Sequence, residues 1–394
     1  MPSNNIKHYL CWLAIALFYL LENCLQVSQG IFAPEMQKSL GLSDQQLAQL
    51  TSAFMWSYAP MQIPVGIILD RIGLRKPLLI AVLIFMLGTL ICAFANSYLL
   101  VLVGRIFLGF GAAFVVLSAL NYAGSMFDKN KFATLTGLLL TIGMSGQILG
   151  EAPLLALINH VGWRSSLFFM SACSAFIFII LFILIPKPQF KNLENKASSI
   201  IDDIKNIMQQ KKYWSIAIYA MLRFSPFLLF AAFWGVKLLP LLHNLSTMQA
   251  ATIVGMLPLG FAIGAPIWGN ISDRSGKRLP VLIISNLLEI ILWFSIIITS
   301  KIILLEIISL LLGFSISGFL PAFSLMRETA DPKITTTALG FMNTLNSLGL
   351  PIILPIMTGI HKLGSHSQTM LVLPVITICA SIGFFTLKEA NAKT

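Results

Sequence analysis

Apolar runs of about twenty residues recur twelve times along the chain, separated by short segments in which charges collect. They fall at 9–30, 46–69, 77–95, 99–121, 133–157, 165–185, 213–236, 247–270, 279–299, 302–325, 334–359 and 368–387. A helix rises about 1.5 Å per residue, so a run of about twenty residues matches the roughly 30 Å hydrocarbon core of a bilayer. The pattern predicts an all-α polytopic membrane protein with twelve transmembrane helices. The first run follows Lys7, but no A-x-A site succeeds it and the helical pattern continues to Gly30. It therefore reads as a span and not as a removed leader.

Composition agrees with the pattern. Of 394 residues, 57% are hydrophobic and only 10% are charged, too few to clothe a water-facing surface. The five cysteines, Cys11, Cys24, Cys92, Cys173 and Cys379, all lie inside apolar runs and form no C-x-x-C. They read as small buried apolar residues, with neither a disulfide framework nor a metal site expected.

The net charge of +11 is informative through its positions. Alternate loops hold 19 of the 26 basic residues: Lys7, Arg71, Arg75, Lys76, Lys129, Lys131, Lys187, Lys191, Lys196, Lys205, Lys211, Lys212, Arg274, Lys277, Arg278, Arg327, Lys333, Lys388 and Lys393. The opposite loops hold five: Lys38, Arg164, Lys237, Lys301 and Lys362. The positive-inside bias puts both termini and the long middle loop in the cytoplasm. Basicity here marks topology, and no nucleic-acid partner is expected. The middle loop divides the chain into a six-helix bundle over 1–186, a linker over 187–212 and a second six-helix bundle over 213–394. Within the linker, Ile200, Ile201, Ile204, Ile207 and Met208 share a helical face, as in a helix lying on the membrane surface. A solvated tether reads almost as well.

One charged cluster occurs twice. Residues 66–76 read GIILDRIGLRK, and 203 positions later residues 269–278 read GNISDRSGKR. Each copy falls between the second and third spans of its half. The repeat predicts two related six-helix halves, a known transporter plan with binding near the midplane. Glycines permit the tight turn between antiparallel helices. An aspartate at such a helix end can meet the unpaired N–H groups of a neighbouring helix start.

These residues resemble the signature loop of the major facilitator superfamily, G-x-x-x-D-R-x-G-R-[RK]. Gly66, Asp70, Arg71, Gly73, Arg75 and Lys76 match it with the basic pair displaced one position by Leu74. Gly269, Asp273, Arg274, Gly276, Lys277 and Arg278 match it without a shift. A second family motif, R-x-x-x-G-x-G, is carried by Arg105, Gly109 and Gly111. A third, associated with antiport, survives in part as Gly146 and Gly150 followed by Glu151, Ala152 and Pro153. The resemblance covers the whole chain and implies a transporter fold of two pseudo-symmetric halves. It implies that Asp70 meets the start of the eleventh span near Thr335, and Asp273 the start of the fifth near Thr134. Such contacts would form while the cytoplasmic side is closed and so bias the outward-open state.

Ionisable residues inside the bilayer are expensive and carry the functional expectation. Glu22 lies about 20 Å from the cytoplasmic end of its span, and Arg105 at a matching depth of about 21 Å, which would allow a buried pair. Tyr19, Glu22, Gln26 and Gln29 form a polar stripe at helical spacing. Glu22 held by Arg105 and released on protonation would serve as a proton-coupling device; a fixed pair docking two helices is the alternative. Arg223 holds nearly the repeat-equivalent place of Glu22, so acid and base would suit a zwitterion. Arg223 can instead pair with Glu22 or with Glu289. Thr336, Gly340, Asn343, Asn346 and Ser347 in the eleventh span can line a polar cavity or fasten helices. Trp56, Tyr58 and Gln62 are lesser candidates. Trp234 reads as an interfacial anchor, and Glu151 and Glu306 as wet surface groups.

The expectation is a secondary active transporter of the bacterial inner membrane, functional as a monomer, working by alternating access on a small-molecule substrate. No G-x-x-x-x-G-K-[ST] loop is present, so ATP is not expected as the direct energy source. No cofactor is expected, and the expected coupling ion is the proton. The substrate is read as a small zwitterion, an amino acid or short peptide, taken up by symport. The alternative is a proton-coupled exporter of drugs or metabolites. A transport-inactive sensor is the rival of another class, and the short tails 1–8 and 388–394 speak against it. No enzyme is expected: the five histidines sit near span ends, with no Ser/His/Asp or H-E-x-x-H arrangement.

Overall fold

The computed structural model describes residues 2–186 and 200–383, and every regular element among them is helical. Among the described residues, nine helices are long and apolar enough to cross a membrane by length and composition. They are Ile6–Val27, Arg75–Phe94, Tyr98–Met126, Lys129–Leu149, Trp163–Leu184, Met248–Ser275, Leu279–Ile298, Ile302–Thr329 and Thr335–His361. These are the first, the third to sixth and the eighth to eleventh spans.

The other three spans are interrupted or short. The second runs through Asp44–Tyr58, a 3-10 turn at Ala59–Met61 and Gln62–Ile72, because Pro60 cannot continue the regular ladder. The seventh runs through Lys211–Leu229, a π-turn at Phe230–Trp234 and Gly235–His243. Its widening follows Pro226, whose missing N–H leaves a gap in the ladder. The twelfth, His366–Ile382, has 17 residues. Apolar side chains on the outer faces stay uncovered: Phe94, Ile303 and Ile298 are 70%, 71% and 80% exposed. Such surface is a liability in water and the proper contact for lipid.

The chain divides into two compact units, Met1–Phe127 with Ile142–Ile200, and Asp128–Thr141 with Ile201–Thr394. The division runs through the fifth span, Phe132–Leu149. Inside the first unit the fourth span packs closely on two neighbours. Gly109 faces the backbone of Phe54 in the second span, and Gly111 that of Ala81 in the third. Residues two apart on a helix point about 200° apart, so each glycine of the motif serves a different neighbour. A side chain at Gly111 would bring its Cβ within 2.6 Å of the Ala81 carbonyl oxygen.

The second unit repeats this design. Gly313 of the tenth span faces Leu257 of the eighth, as Gly109 faces Phe54. The capping box at Ser43 and Gln46 recurs 203 positions later at Ser246 and Gln249. In each, the serine side chain takes the third backbone N–H and the glutamine returns to the serine N–H.

Some expectations change. The run at 9–30 is not one helix: it stops at Val27, and Gln29–Leu40 forms a separate helix closed by Gly41 at φ 65°. The fifth run parts into Phe132–Leu149 and Ala152–Val161 around Gly150 and Glu151, just ahead of Pro153. Cys379 is exposed, whereas Cys11, Cys24 and Cys92 are buried. Ile200–Gln209 forms the expected helix, with Ile207 buried but Met208 48% exposed, one step of about 100° round the axis. Lys187, Lys191, Lys196, Lys388 and Lys393 lie outside the described residues.

Candidate functional site

The first helix carries Tyr19, Glu22 and Gln26 on one face, as their spacing requires. Glu22 is 2% exposed. Its Oε2 accepts a hydrogen bond of 2.9 Å from Asn23 Nδ2, which also donates to the Tyr19 carbonyl at 2.9 Å. Asn23 Oδ1 in turn accepts from Gln147 Nε2 of the fifth span at 3.0 Å. This reach depends on three glycines. Gly143, Gly146 and Gly150 bring the fifth span onto Tyr19, Leu20 and Cys24 of the first, and a Cβ at Gly150 would stand 2.5 Å from the Cys24 carbonyl oxygen. The partly matched motif in the fifth span is thus a packing surface for the helix that bears Glu22. Gln26 Nε2 reaches Met55 Sδ at 3.4 Å, and Gln29, beyond the break, faces Met36 instead.

Arg105 does not pair with Glu22 among the described residues. Its Nη1 donates to the Leu25 carbonyl at 3.0 Å and its Nε to the Leu50 carbonyl at 3.1 Å, and its guanidinium lies 5.2 Å from the centre of the Phe54 ring. The physical reason is the break at Ser28. A helix ending at Val27 leaves its last carbonyls without amide partners, and that end carries a negative partial charge. Arg105 caps it, and fastens the first, second and fourth spans.

In the second unit, Arg223 is fully buried and ion-paired with Glu289, the alternative foreseen in the sequence. Arg223 Nη2 also donates to Ser285 Oγ at 3.0 Å and to the Ser315 carbonyl at 3.3 Å. Glu289 Oε1 accepts from Thr377 Oγ1 at 3.0 Å and Trp293 Nε1 at 3.2 Å. The seventh, ninth, tenth and twelfth spans meet on this pair. Asn343 is half-buried, and Asn346 is buried with its Oδ1 unpaired among the described residues. Trp234 is no interfacial anchor: it is fully buried, edge-on to His361 and beneath the Lys237 ammonium.

The loop motifs acquire definite roles. Gly73 and Gly276 take φ of 84° and 64°, where a side chain would be strained. Gly66 is buried within Gln62–Ile72, while Asp70 and Arg71 at its end are half-buried. Asp273 Oδ2 accepts from the Thr134 amide at 2.8 Å and hydroxyl at 2.9 Å, and its Oδ1 from the Ala133 amide at 3.3 Å. Gly269, one turn earlier, lets the Ala133 backbone approach. Arg278 joins Asp273 at 3.1 Å to Glu328 at 2.8 Å. Burial works against the charge of Arg278, but Glu328 and then Asp273 outweigh it and raise the guanidinium pKa. Arg274 and Lys277 stay exposed.

In the first copy Arg75 stands 203 positions before Arg278 and keeps its register. Leu74 replaces the exposed Lys277, so the basic residue is not displaced, and Lys76 is an exposed addition. Arg75 donates to the Ile185 carbonyl and, at 2.8 Å, to the Phe182 carbonyl, capping the sixth span.

A groove of about 790 Å³ lies between the second and fourth spans, toward the ends remote from the motif loops. Gln45, Gln49, Ser52, Trp56, Ser57 and Tyr98 line it together with the apolar Ala53, Leu102 and Ile106, and Tyr98 donates to Gln49 at 2.7 Å. Trp56 is 78% exposed. Tyr58 and Gln62 are buried, and Gln62 donates to the Ala113 carbonyl, at the break in the fourth span, at 3.4 Å. Asn23, Gln147, Glu328 and the groove residues other than Trp56 are not among the candidates that the sequence pattern singles out. Gln147 carried a signal, an amide inside the glycine motif. Gln45 and Gln49 looked like ordinary polar residues of a helix start.

Comparison with known proteins agrees with this architecture. The family model described as Major Facilitator Superfamily matches residues 11–239 and 227–394. A Cupriavidus necator protein named "probable sulfoacetate transporter" is 27% identical over 160 residues, 41% of this chain and 37% of that protein. The match thus spans little more than a third of that relative. The bacillibactin exporter of Bacillus subtilis is 24% identical over 365 residues, 88% of either chain. The solved structure of the E. coli fucose:proton symporter superposes with a TM-score of 0.76 at 17% identity, covering 98% of this chain and 99% of that one.

Proposed function

The chain belongs to the Major Facilitator Superfamily, a family of membrane transporters, and we propose that within it this protein is a proton-coupled secondary transporter of a small polar solute. Alternating access in a bacterial inner membrane, by a monomer with its motif loops in the cytoplasm, completes the reading. The observation that carries it is an asymmetry between two buried acids. Glu289 is locked to Arg223, whereas Glu22 is bonded by the neutral amide of Asn23. A carboxyl group at membrane depth without a counter-cation is costly to keep charged. Its proton occupancy then follows its access to water on one side or the other.

The zwitterion reading needed a free guanidinium. Arg223 is engaged by Glu289, so an amino acid or peptide has no evident carboxylate partner there. The amides, hydroxyls and indole of the groove, set among Ala53, Leu102 and Ile106, suit a solute that offers hydrogen-bonding groups beside an apolar or ring face. Export is the second reading, supported by the bacillibactin exporter's match over 88% of both chains.

The test is transport in proteoliposomes under an imposed proton gradient, with a labelled panel of hexoses, polyols, aromatic and aliphatic acids and amino acids. We expect gradient-driven movement of one polar class, in one direction, abolished in Glu22→Gln while gradient-free exchange survives. Undiminished gradient-driven movement in Glu22→Gln would overturn the assignment of Glu22.

A further inference from the structure

The structure assigns to Asn23 and Gln147 a positioning role for the proton on Glu22, an inference that rests on Glu22 being the coupling site. Donor and acceptor counts set the direction of each hydrogen bond. The Tyr19 carbonyl can only accept, so the group of Asn23 facing it at 2.9 Å is the amide nitrogen. The same nitrogen has one hydrogen left, which it gives to Glu22 Oε2 at 2.9 Å. Asn23 Oδ1 is then turned to the fifth span, where Gln147 Nε2 donates at 3.0 Å. Every link has one sense: Gln147 to Asn23 to Glu22.

Two consequences follow. Oε2 is held as an acceptor, so the proton that neutralises Glu22 loads on Oε1. In addition, a hydrogen bond to an ionised acceptor is roughly twice as strong as one to a neutral acceptor. The relay therefore favours the proton-free form and makes release easier. Gln147 sits on the fifth span, whose glycines set its distance from the first. A shift of that helix by an ångström breaks the 3.0 Å link and changes proton affinity, which would tie release to helix movement.

The experiment compares wild type with Gln147→Met, Asn23→Leu, the milder Gln147→Asn and Glu22→Gln in proteoliposomes. Gradient-driven transport is measured from pH 5 to 9, and gradient-free exchange reports a folded carrier. The infrared band of the protonated carboxyl group is followed over the same pH range and identified by its loss in Glu22→Gln. We expect the transport midpoint and the carboxyl band of Gln147→Met and Asn23→Leu to move together, by about one pH unit toward alkaline values. Gln147→Asn should move part of the way. Unchanged midpoints and band in variants that still exchange solute would overturn the relay while leaving Glu22 as the coupling site. If a variant fails to exchange, the band of the purified protein decides. Failure of Glu22→Gln to uncouple would instead remove the reading beneath it.

Discussion

Arg223 and Glu289 show what a buried ion pair can and cannot do. Both are fully buried, and hydroxyls of Ser285 and Thr377 with the Trp293 indole add hydrogen bonds to the pair. Removing one partner leaves an uncompensated charge, which costs about 3–5 kcal/mol. Arg223→Met and Glu289→Leu alone should therefore lower the thermal unfolding temperature strongly, and the double variant should regain most of the loss. Because neither side chain is exposed, transport by the double variant should persist. A double variant that is stable but inert would return Arg223 to the substrate site. The sequence placed both residues at membrane depth and named the pairing as one choice among three. It could not decide, because pairing depends on the rotation of the seventh and ninth helices about their axes. Arg105 shows the same limit. Its depth matched Glu22, but its partner is the end of the first helix, and the break at Ser28 falls inside an apolar run that the pattern carries on to Gly30. Arg105→Lys should lose one of the two carbonyl bonds, since an ammonium lacks the planar fork.

The elements were more legible than their partners. Run length gave twelve helices because the bilayer demands about twenty apolar residues for each crossing. The helix Gln29–Leu40 was missed because Pro34 and a mixed polar pattern hide it. The glycines of the fifth span were found as a motif, and the structure gives them a load: Gly146 and Gly150 stand against the backbone of Leu20 and Cys24. Neither helix can yield locally, so a methyl group there forces the two apart. Overpacking of this kind costs about 1–3 kcal/mol. Gly150→Ala should thus destabilise the protein and, by lengthening the Gln147 to Asn23 link, also shift its pH profile. Gly313→Ala, at the equivalent kind of contact in the other unit, should destabilise alike and leave the profile unmoved. Thermal unfolding and the transport pH profile, measured on both, separate packing from coupling.

At the scale of the whole molecule the two halves are alike in frame and unlike in charge. Capping boxes, motif loops and positive-φ glycines recur 203 positions apart. The sequence could show this repeat because it lies in short local patterns. What differs is the use of the repeated positions. Arg75 caps the sixth span, whereas its counterpart Arg278 joins Asp273 and Glu328 beside the start of the fifth. The folded pKa of Arg278 is raised above its unfolded value. Its stabilising contribution is therefore fully present below the unfolded value and is lost only as pH rises through the higher folded one, both far on the alkaline side. Between pH 5 and 9 that contribution is constant. Arg278→Gln should then change the exchange rate by the same factor at every pH in this range, with the shape of the profile kept. Glu22→Gln should flatten the profile. A pH-dependent effect of Arg278→Gln would mean that the loop cluster itself titrates during transport, and proton sensing could no longer be confined to the first half.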